Sequence, residues 1–229
     1  MMQSSFANEH IYHIYNRGVE KRDIFLNTKD YLRFIANLYE FNDASPTFNF
    51  GRHHIQIPIE VRLQSARKNP PVKLLAFCLM PNHFHLMIQQ NSDGGITKFM
   101  RKLGTGYTNY FNIKYNRVGA LFQGKFKSVL LEREAHFIHL PHYIHLNPLD
   151  LHSPEWRDRK VKNMDAALKF LYHYRWSSFS DYAGKKNFPS VTDREFLTQC
   201  VGDEKSFLQD TMEWMRDVPF DLIQKVVIE

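Results

Sequence analysis

Two histidines separated by one residue, His83 and His85, stand at the start of a predicted strand. The apolar run over residues 72–79 predicts a buried strand before them, and a Pro-Asn turn joins the two strands. Side chains alternate between the faces of a strand, so both imidazoles should point to one face, about 7 Å apart. Two imidazoles at this spacing could bind one divalent cation. The alternative is a pair of surface histidines that binds nothing.

A predicted helix opens near the charged Glu132 and is closed by Pro148. Polar side chains at offsets of three and four residues form one line along it. The line consists of His136, His139, Tyr143 and Asn147. Pro141 should kink or break the helix, and the spacing from Tyr143 to Asn147 holds in either case.

Together, these residues predict phosphodiester chemistry. The two histidines supply two metal ligands, the amide oxygen of Asn147 supplies a third, and the Tyr143 phenol could reach a phosphate held by the metal. A phenol with an ordinary pKa of about 10 is a poor nucleophile at neutral pH. A divalent cation lowers the cost of the negative charge that develops on the phosphodiester oxygens. The product would be a covalent 5′-phosphotyrosine and a 3′-hydroxyl, so rejoining a strand would need no nucleotide cofactor.

The charge distribution is uneven. The chain of 229 residues has a net charge of +6, but nine acidic and four basic residues give a net charge of −5 from Asp193 to Glu229, which leaves +11 for residues 1–192. A basic body of this kind suits a polyphosphate partner. The first residues have no signal-peptide pattern and no apolar run is long enough to span a membrane, so we expect a cytoplasmic protein without a membrane partner. Cys78 and Cys200 are far apart in the sequence, which favours a reducing compartment.

Basic and aromatic residues indicate where DNA would bind. A predicted helix from Ile96 to Phe111 carries cations opposite its apolar stripe, which is typical of a track for single-stranded nucleic acid, although solvated charge over a core stripe is an equal alternative. The candidate DNA-binding residues are Arg17, Lys98, Arg101, Lys102, Tyr107, Lys114, Arg117, Lys125 and Lys127. The irregular basic stretch from Asp43 to Pro71 is either a loop that contacts the DNA backbone or an inert insertion.

Three motifs in order along the chain resemble those of the REP-associated tyrosine transposases, relatives of the small insertion-sequence transposases in the HUH nuclease superfamily. They are PNHFHL at residues 81–86, GALFQGKFKS at 119–128 and YIHLNP at 143–148. The resemblance spans roughly residues 9–150, and residues 176–182 resemble a segment found in longer members. Phe122 stands where a tryptophan is expected and Lys125 where an arginine is expected, which affects the details of DNA contact more than the metal chemistry.

The resemblance implies a function for each motif. His83 and His85 would bind Mg²⁺ or Mn²⁺, Asn147 would complete the ligand set, and Tyr143 would be the nucleophile of a transposase that cleaves and joins single-stranded DNA carrying hairpins. It also implies an α+β fold with a ferredoxin-like antiparallel sheet and helices packed on it. Residues 1–150 would form the catalytic domain and residues 151–229 a mostly helical C-terminal extension. A homodimer that exchanges the tyrosine helix is compatible with the sequence.

Other tyrosines and other functions remain as alternatives. Tyr107, Tyr110 and Tyr115 are rival nucleophiles by residue type, but none is followed four residues later by a side chain suited to bind the metal. A domesticated protein that binds DNA hairpins without cleaving them would keep the same fold. A metal-dependent hydrolase would use water on His83 and His85 in place of the tyrosine.

Overall fold

The computed structural model describes residues 6–43 and 69–217. Four antiparallel strands form the sheet, in the spatial order β2-β3-β1-β4. In chain order the elements are β1 (Ile11–Arg17), α1 (Thr28–Glu40), β2 (Val72–Met80), β3 (His83–Gln90), α2 (Gly95–Lys114) and β4 (Lys127–Leu130). This βαββαβ order with β1 and β3 in the centre is ferredoxin-like, as the sequence predicted. Most of the basic stretch from Asp43 to Pro71 lies outside the described residues.

The rest of the described chain is helical, which confirms the predicted helical extension. Its elements are α3 (Glu134–Leu146), two 3₁₀ helices (Asn147–Leu151 and Pro154–Asp158), α4 (Met164–His173), α5 (Phe179–Tyr182), α6 (Arg194–Val201) and α7 (Glu204–Arg216). No helix in residues 6–43 and 69–217 is long and apolar enough to cross a membrane.

The two faces of the sheet carry two separate apolar cores. Helices α1 and α2 cover one face, where Phe84, Leu86 and Ile88 of β3 point. Helix α3 and the helices that follow it cover the other face, where Met87 of β3 is buried. The alternation predicted for β3 is therefore confirmed, and His85 is buried at 2% exposure on the face that α3 covers.

Strand β2 lies at the edge of the sheet, and residues after position 150 cover that edge. The Leu79 N–H donates to the Trp176 carbonyl at 2.8 Å, and the Ser178 N–H donates to the Phe77 carbonyl at 3.0 Å. The Tyr182 hydroxyl donates to a further β2 carbonyl at 2.6 Å. An uncovered edge strand would expose a row of backbone donors and acceptors. The C-terminal segment thus shares a core and hydrogen bonds with the sheet, and the domain boundary at residue 150 stays a prediction.

Helix α3 differs from its prediction in two respects. It runs without a break through Pro141, so the separate short helix that a break would give is wrong, while the kink stays a prediction. The proline removes one helical hydrogen bond, but α3 is enclosed by the sheet and by the C-terminal helices, and Pro141 is itself buried. The helix is also buried on more than one side, so its histidines face protein. His142 Nδ1 lies 3.1 Å from Thr211 Oγ1, and His145 Nε2 lies 2.7 Å from Ser178 Oγ.

Burial of these two histidines predicts a dependence of stability on pH. Burial lowers the pKa of His142 and of His145 from 6.5 to about 3. The unfolded chain takes up protons below pH 6.5 and the folded chain does not, so stability is complete above that pH and is lost as the pH falls towards 3. Each histidine should lower the free energy of unfolding by about 1.4 kcal/mol per pH unit in that range.

Urea unfolding of the native protein, His142→Gln and His173→Gln at several pH values between about 7.5 and 5 measures this effect. His142→Gln removes one of the two groups and should give a shallower slope of unfolding free energy against pH. The exposed His173 serves as the control, and its variant should keep the native slope. Equal slopes in all three proteins would contradict the assignment.

Candidate active site

Two hydrogen bonds fix the orientation of the paired histidines at the start of β3. His83 Nδ1 lies 2.6 Å from Asn82 Oδ1, and His85 Nδ1 lies 2.9 Å from Nε2 of His13 on β1. The amide oxygen of Asn82 only accepts, so His83 carries its proton on Nδ1 and its lone pair on Nε2. The buried Nε2 of His85 has no hydrogen-bond partner among the described residues. The ring centroids of His83 and His85 lie 4.9 Å apart.

Helix α3 places Tyr143 beside these histidines. Its ring centroid lies 5.8 Å from that of His85 and 6.3 Å from that of His13, with edge-on geometry in both cases. The side chain is fully buried. The structure therefore brings together three of the predicted site residues, Tyr143, His83 and His85, from elements about 60 positions apart in the sequence.

The fourth predicted residue, Asn147, bonds to two neighbours. Its Nδ2 donates to the Tyr143 carbonyl at 2.8 Å, and its Oδ1 accepts from Nη2 of Arg157 at 3.3 Å. Arg157 also donates to both carboxylate oxygens of Asp150, at 2.9 and 2.7 Å. Its guanidinium lies 5.6 Å from the centre of the Tyr143 ring. The guanidinium therefore places a positive charge next to Asn147 Oδ1, which disfavours a metal cation there while Arg157 keeps this position.

The donor set fits a divalent cation at the two histidines. Burial, followed by electrostatic interaction with His83, His13, Arg157 and Arg17, holds the pKa of His85 well below its usual range. His85 is therefore neutral, as a metal ligand must be. Within residues 6–43 and 69–217, no group of three or more His, Cys, Asp or Glu side chains could hold a metal ion. A third ligand would come from another kind of group, such as an amide, water or phosphate oxygen.

The histidine pair lines a small cavity of about 50 Å³. We call it the histidine cavity; its lining residues are Tyr15, Asn16, Arg17, His83, His85, Gln123 and Lys127. Two predicted DNA-binding cations, Arg17 and Lys127, therefore lie beside the paired histidines. Tyr15 places a second phenol there, with its ring centroid 6.0 Å from that of His85, and burial raises its pKa.

Four residues of this site were not predicted from the sequence: His13, Tyr15, Asp150 and Arg157. The alternation of β1 puts His13, Tyr15 and Arg17 on one face, and this pattern could have grouped them. The register decides which residues they meet: Tyr15 lies opposite His85 and Arg17 opposite His83. Arg157 had no signal in the sequence, since its position depends on a 3₁₀ helix that folds back onto α3.

The other predicted DNA-binding residues occupy several different environments. Lys98, Arg101 and Lys125 are exposed. Lys102 Nζ donates to the Asp43 carbonyl at 3.1 Å, and Arg117 donates to an amide oxygen at 3.1 Å. These five side chains belong to α2 or to the segments that follow it.

Tyr107 and Lys114 are engaged inside the protein. Tyr107 is fully buried and its hydroxyl donates to the Ile24 carbonyl at 2.6 Å, so its ring belongs to the core stripe and is not exposed for stacking on bases. Lys114 Nζ lies 2.5 Å from Oδ1 of Asp30, whose side chain is fully buried. Partial burial alone would lower the pKa of Lys114, but its hydrogen bonds, above all with Asp30, outweigh that effect and raise it.

Part of this chain is similar in sequence to a known protein family. A family model described as "Transposase IS200 like" matches residues 48–147, which include both histidines, Tyr143 and Asn147. This segment of the chain is therefore similar to the IS200-like transposases, in line with the resemblance found in the sequence motifs. A solved structure of a REP-associated tyrosine transposase bound to a REP hairpin is similar at 12% sequence identity and a TM-score of 0.49, over 85% of this chain and 94% of that one. No curated protein matches.

The ion pair of Lys114 predicts that this lysine stabilises the fold. Lys114→Gln leaves the buried Asp30 carboxylate without its cation, and should lower the free energy of unfolding by about 1–3 kcal/mol. Lys98→Gln changes an exposed side chain and should alter it by no more than about 0.5 kcal/mol. Urea unfolding of both variants measures the difference. A native-like stability for Lys114→Gln would show that the pair contributes nothing.

Proposed function

We propose that this protein is a transposase that cleaves and rejoins single-stranded DNA at hairpins, with Tyr143 as the nucleophile. The observation that carries the proposal is the packing of the Tyr143 ring against His85, within a segment that matches the IS200-like transposases. A tyrosine beside two oriented imidazoles, of which His85 is neutral, is suited to attack a phosphodiester held by a cation.

The proposed reaction is a transesterification. Tyr143 Oη attacks the phosphorus, a phosphotyrosine bond forms to the 5′ side, and the bond from phosphorus to the 3′-oxygen breaks. The phenol loses one proton and the leaving 3′-oxygen gains one, so no net proton is released. Attack by a second 3′-hydroxyl on the phosphotyrosine reverses these steps and joins two strands. Because one phosphoester replaces another, no nucleotide cofactor is consumed.

The histidine pair would hold Mg²⁺ or Mn²⁺ through the two Nε2 atoms. When bound, the ion would polarise the phosphodiester and stabilise the charge that develops in the reaction. His13 contacts Nδ1 of His85, and Asn82 contacts Nδ1 of His83. These contacts would orient the Nε2 lone pairs of His85 and His83 before the ion binds. Asn147 is the proposed third ligand.

Arg157 is proposed to bind the DNA phosphate. Its guanidinium lies over Tyr143 and is shared between Asp150 and Asn147. An incoming phosphate would be another anionic partner for this guanidinium. Movement of the guanidinium towards the phosphate would release Asn147 Oδ1 for the cation. Arg17 and Lys127 at the histidine cavity would bind neighbouring phosphates.

Tyr143 lies beside the histidines of its own chain, so we propose that one chain builds its own site. A homodimer, if one forms, would then not need to exchange the tyrosine helix. We also propose residues 1–150 as the catalytic part, with the C-terminal extension contributing Arg157 to the same site.

The first test looks for the covalent intermediate. Labelled single-stranded oligonucleotides with hairpins, incubated with Mg²⁺ or Mn²⁺, should give an adduct on a denaturing gel. Tyr143→Phe should reduce it about 10³-fold or more, because the phenyl ring keeps the packing but has no nucleophile. EDTA should also abolish it.

Two control variants separate Tyr143 from the other phenols. Tyr15→Phe removes the second phenol near His85, and Tyr115→Phe removes one that donates to Asp30 at 2.7 Å. Both should still form the adduct. Cleavage that persists in Tyr143→Phe would indicate a water nucleophile, and tight hairpin binding without cleavage would indicate a DNA-binding protein that does not cleave.

Metal binding through His85 Nε2 requires that His85 Nδ1 donate to Nε2 of His13, which predicts a dependence of metal affinity on His13. His13→Leu removes the acceptor and should weaken Mn²⁺ binding about 10–100-fold. His13→Gln can accept the same hydrogen bond through its amide oxygen and should retain most of the affinity. Titration calorimetry with Mn²⁺ on both variants and on the exposed-site control His10→Ala measures this. An equal loss in Leu and Gln variants would contradict the orienting role.

A further inference from the structure

A cleft of about 590 Å³ lies between α2 and the loop over residues 119–126, on the sheet face opposite the histidines. We call it the α2 cleft. Four phenylalanines from three parts of the chain line it: Phe34 of α1 and Phe84 of β3, which are buried, and Phe122 and the half-buried Phe126 of the loop. Its volume falls within the range of about 300–1,000 Å³ typical of small-ligand sites.

The edge of the α2 cleft is cationic. Arg101 from α2 and Lys125 from the loop both line it and are both exposed. Neither forms an ion pair with a carboxylate in the described part of the chain, and no Asp or Glu belongs to the lining. Aromatic rings that stack on bases and cations that neutralise phosphates are the two components of single-stranded nucleic-acid sites.

The α2 cleft and the histidine cavity meet at the end of β1. Asn16 lines both, and its Nδ2 donates to the Gly124 carbonyl at 3.2 Å. The same loop faces both sites, because Gln123 lines the histidine cavity while Phe122 lines the cleft. The Gln123 N–H donates to the Arg17 carbonyl at 2.8 Å, which fixes the loop to the strand. A DNA chain that crosses this loop would pass from one site to the other.

We propose that the α2 cleft binds an unpaired nucleotide of single-stranded DNA, with its base in the apolar cleft against the half-buried Phe126 and its phosphate at Arg101 and Lys125. The bound nucleotide sets which neighbouring phosphate reaches the histidine cavity, so the cleft determines the position of cleavage. This inference rests on the proposed function, since it takes the substrate to be single-stranded DNA.

Gly104 offers a way to fill the cleft without disturbing the core. It lines the cleft from α2, and a Cβ atom built on it would meet nothing within 4 Å. Gly104→Phe therefore projects a ring into the space that the base would occupy. Gly104→Ala adds one methyl group at the same position, favours the helix, and is the matched control.

The test measures binding to two fluorescein-labelled probes of about 15 nucleotides, the upper range of single-strand site sizes. One probe is oligo-dT, and the other is an abasic strand of equal length and charge. Gly104→Phe should weaken oligo-dT binding about 5–100-fold, the expected loss of stacking for one base. Gly104→Ala should bind within about twofold of native, and all three proteins should bind the abasic probe equally. Native affinity of Gly104→Phe for oligo-dT would overturn the proposal.

A cross-linking experiment on the native chain keeps the proposal testable if Gly104→Phe does not fold. Oligonucleotides that carry 5-iododeoxyuridine are irradiated in complex with the protein, and the linked peptide is mapped by mass spectrometry. Cross-links at Phe122 or Phe126 are expected. Cross-links confined to residues outside the cleft would overturn the proposal.

The covalent adduct assay separates this inference from the proposed function. If the native protein forms no tyrosine adduct but Gly104→Phe loses base-dependent binding, the cleft is a nucleotide site and the proposed transposase function fails. If the native protein forms the adduct, and Gly104→Phe binds and cleaves at the same position as native, the proposed transposase function stands and the cleft proposal fails. A shifted or lost cleavage position in Gly104→Phe, with Gly104→Ala unchanged, supports both.

Discussion

The alternation of side chains along β1 and β3 is the constraint on which the two proposed sites depend. These strands pair antiparallel in the centre of the sheet, with Asn16 opposite Phe84 and Tyr15 opposite His85. Neighbouring residues therefore serve opposite faces: His85 meets the tyrosine helix, and Phe84 meets the α2 cleft. A shift of either strand by one residue would exchange the two sets of side chains. The pairing register thus positions the histidine pair and the aromatic lining together.

The helical segment after residue 150 makes the histidine face of the sheet into an enclosed site. A four-stranded sheet with two helices on one face leaves its other face open to water. Here α3 crosses that face and Trp156, Phe179 and Phe207 fill the core behind it. The same segment satisfies the backbone edge of β2. Enclosure strengthens electrostatic interactions between Tyr143, His85 and the charges around them, because water no longer screens them. Removal of the segment would expose both the apolar core and the strand edge, so the histidine site and the extension are structurally coupled.

Local patterns in the sequence were sufficient for much of this arrangement. The period of two in β3 placed His83 and His85 on one face, and the spacing of four placed Asn147 one turn from Tyr143. These predictions held because each depends on residues within one turn or one strand. Pro141 was different, because the cost of a proline in a helix is local while the packing that keeps α3 continuous comes from elements distant in the sequence.

Cations and aromatic residues were predicted less well, because their availability depends on neighbours that the sequence does not reveal. Lys114 and Lys98 lie on the same helix and have the same charge, but only Lys114 reaches the buried carboxylate of Asp30. Tyr107 has the residue type of a stacking platform, but its position in the apolar stripe of α2 directs it to the core. A basic residue that no internal acceptor holds can bind a phosphate without first breaking an internal contact. By that criterion the exposed Arg101 and Lys125 are available to a DNA backbone, while Lys114 belongs to the fold.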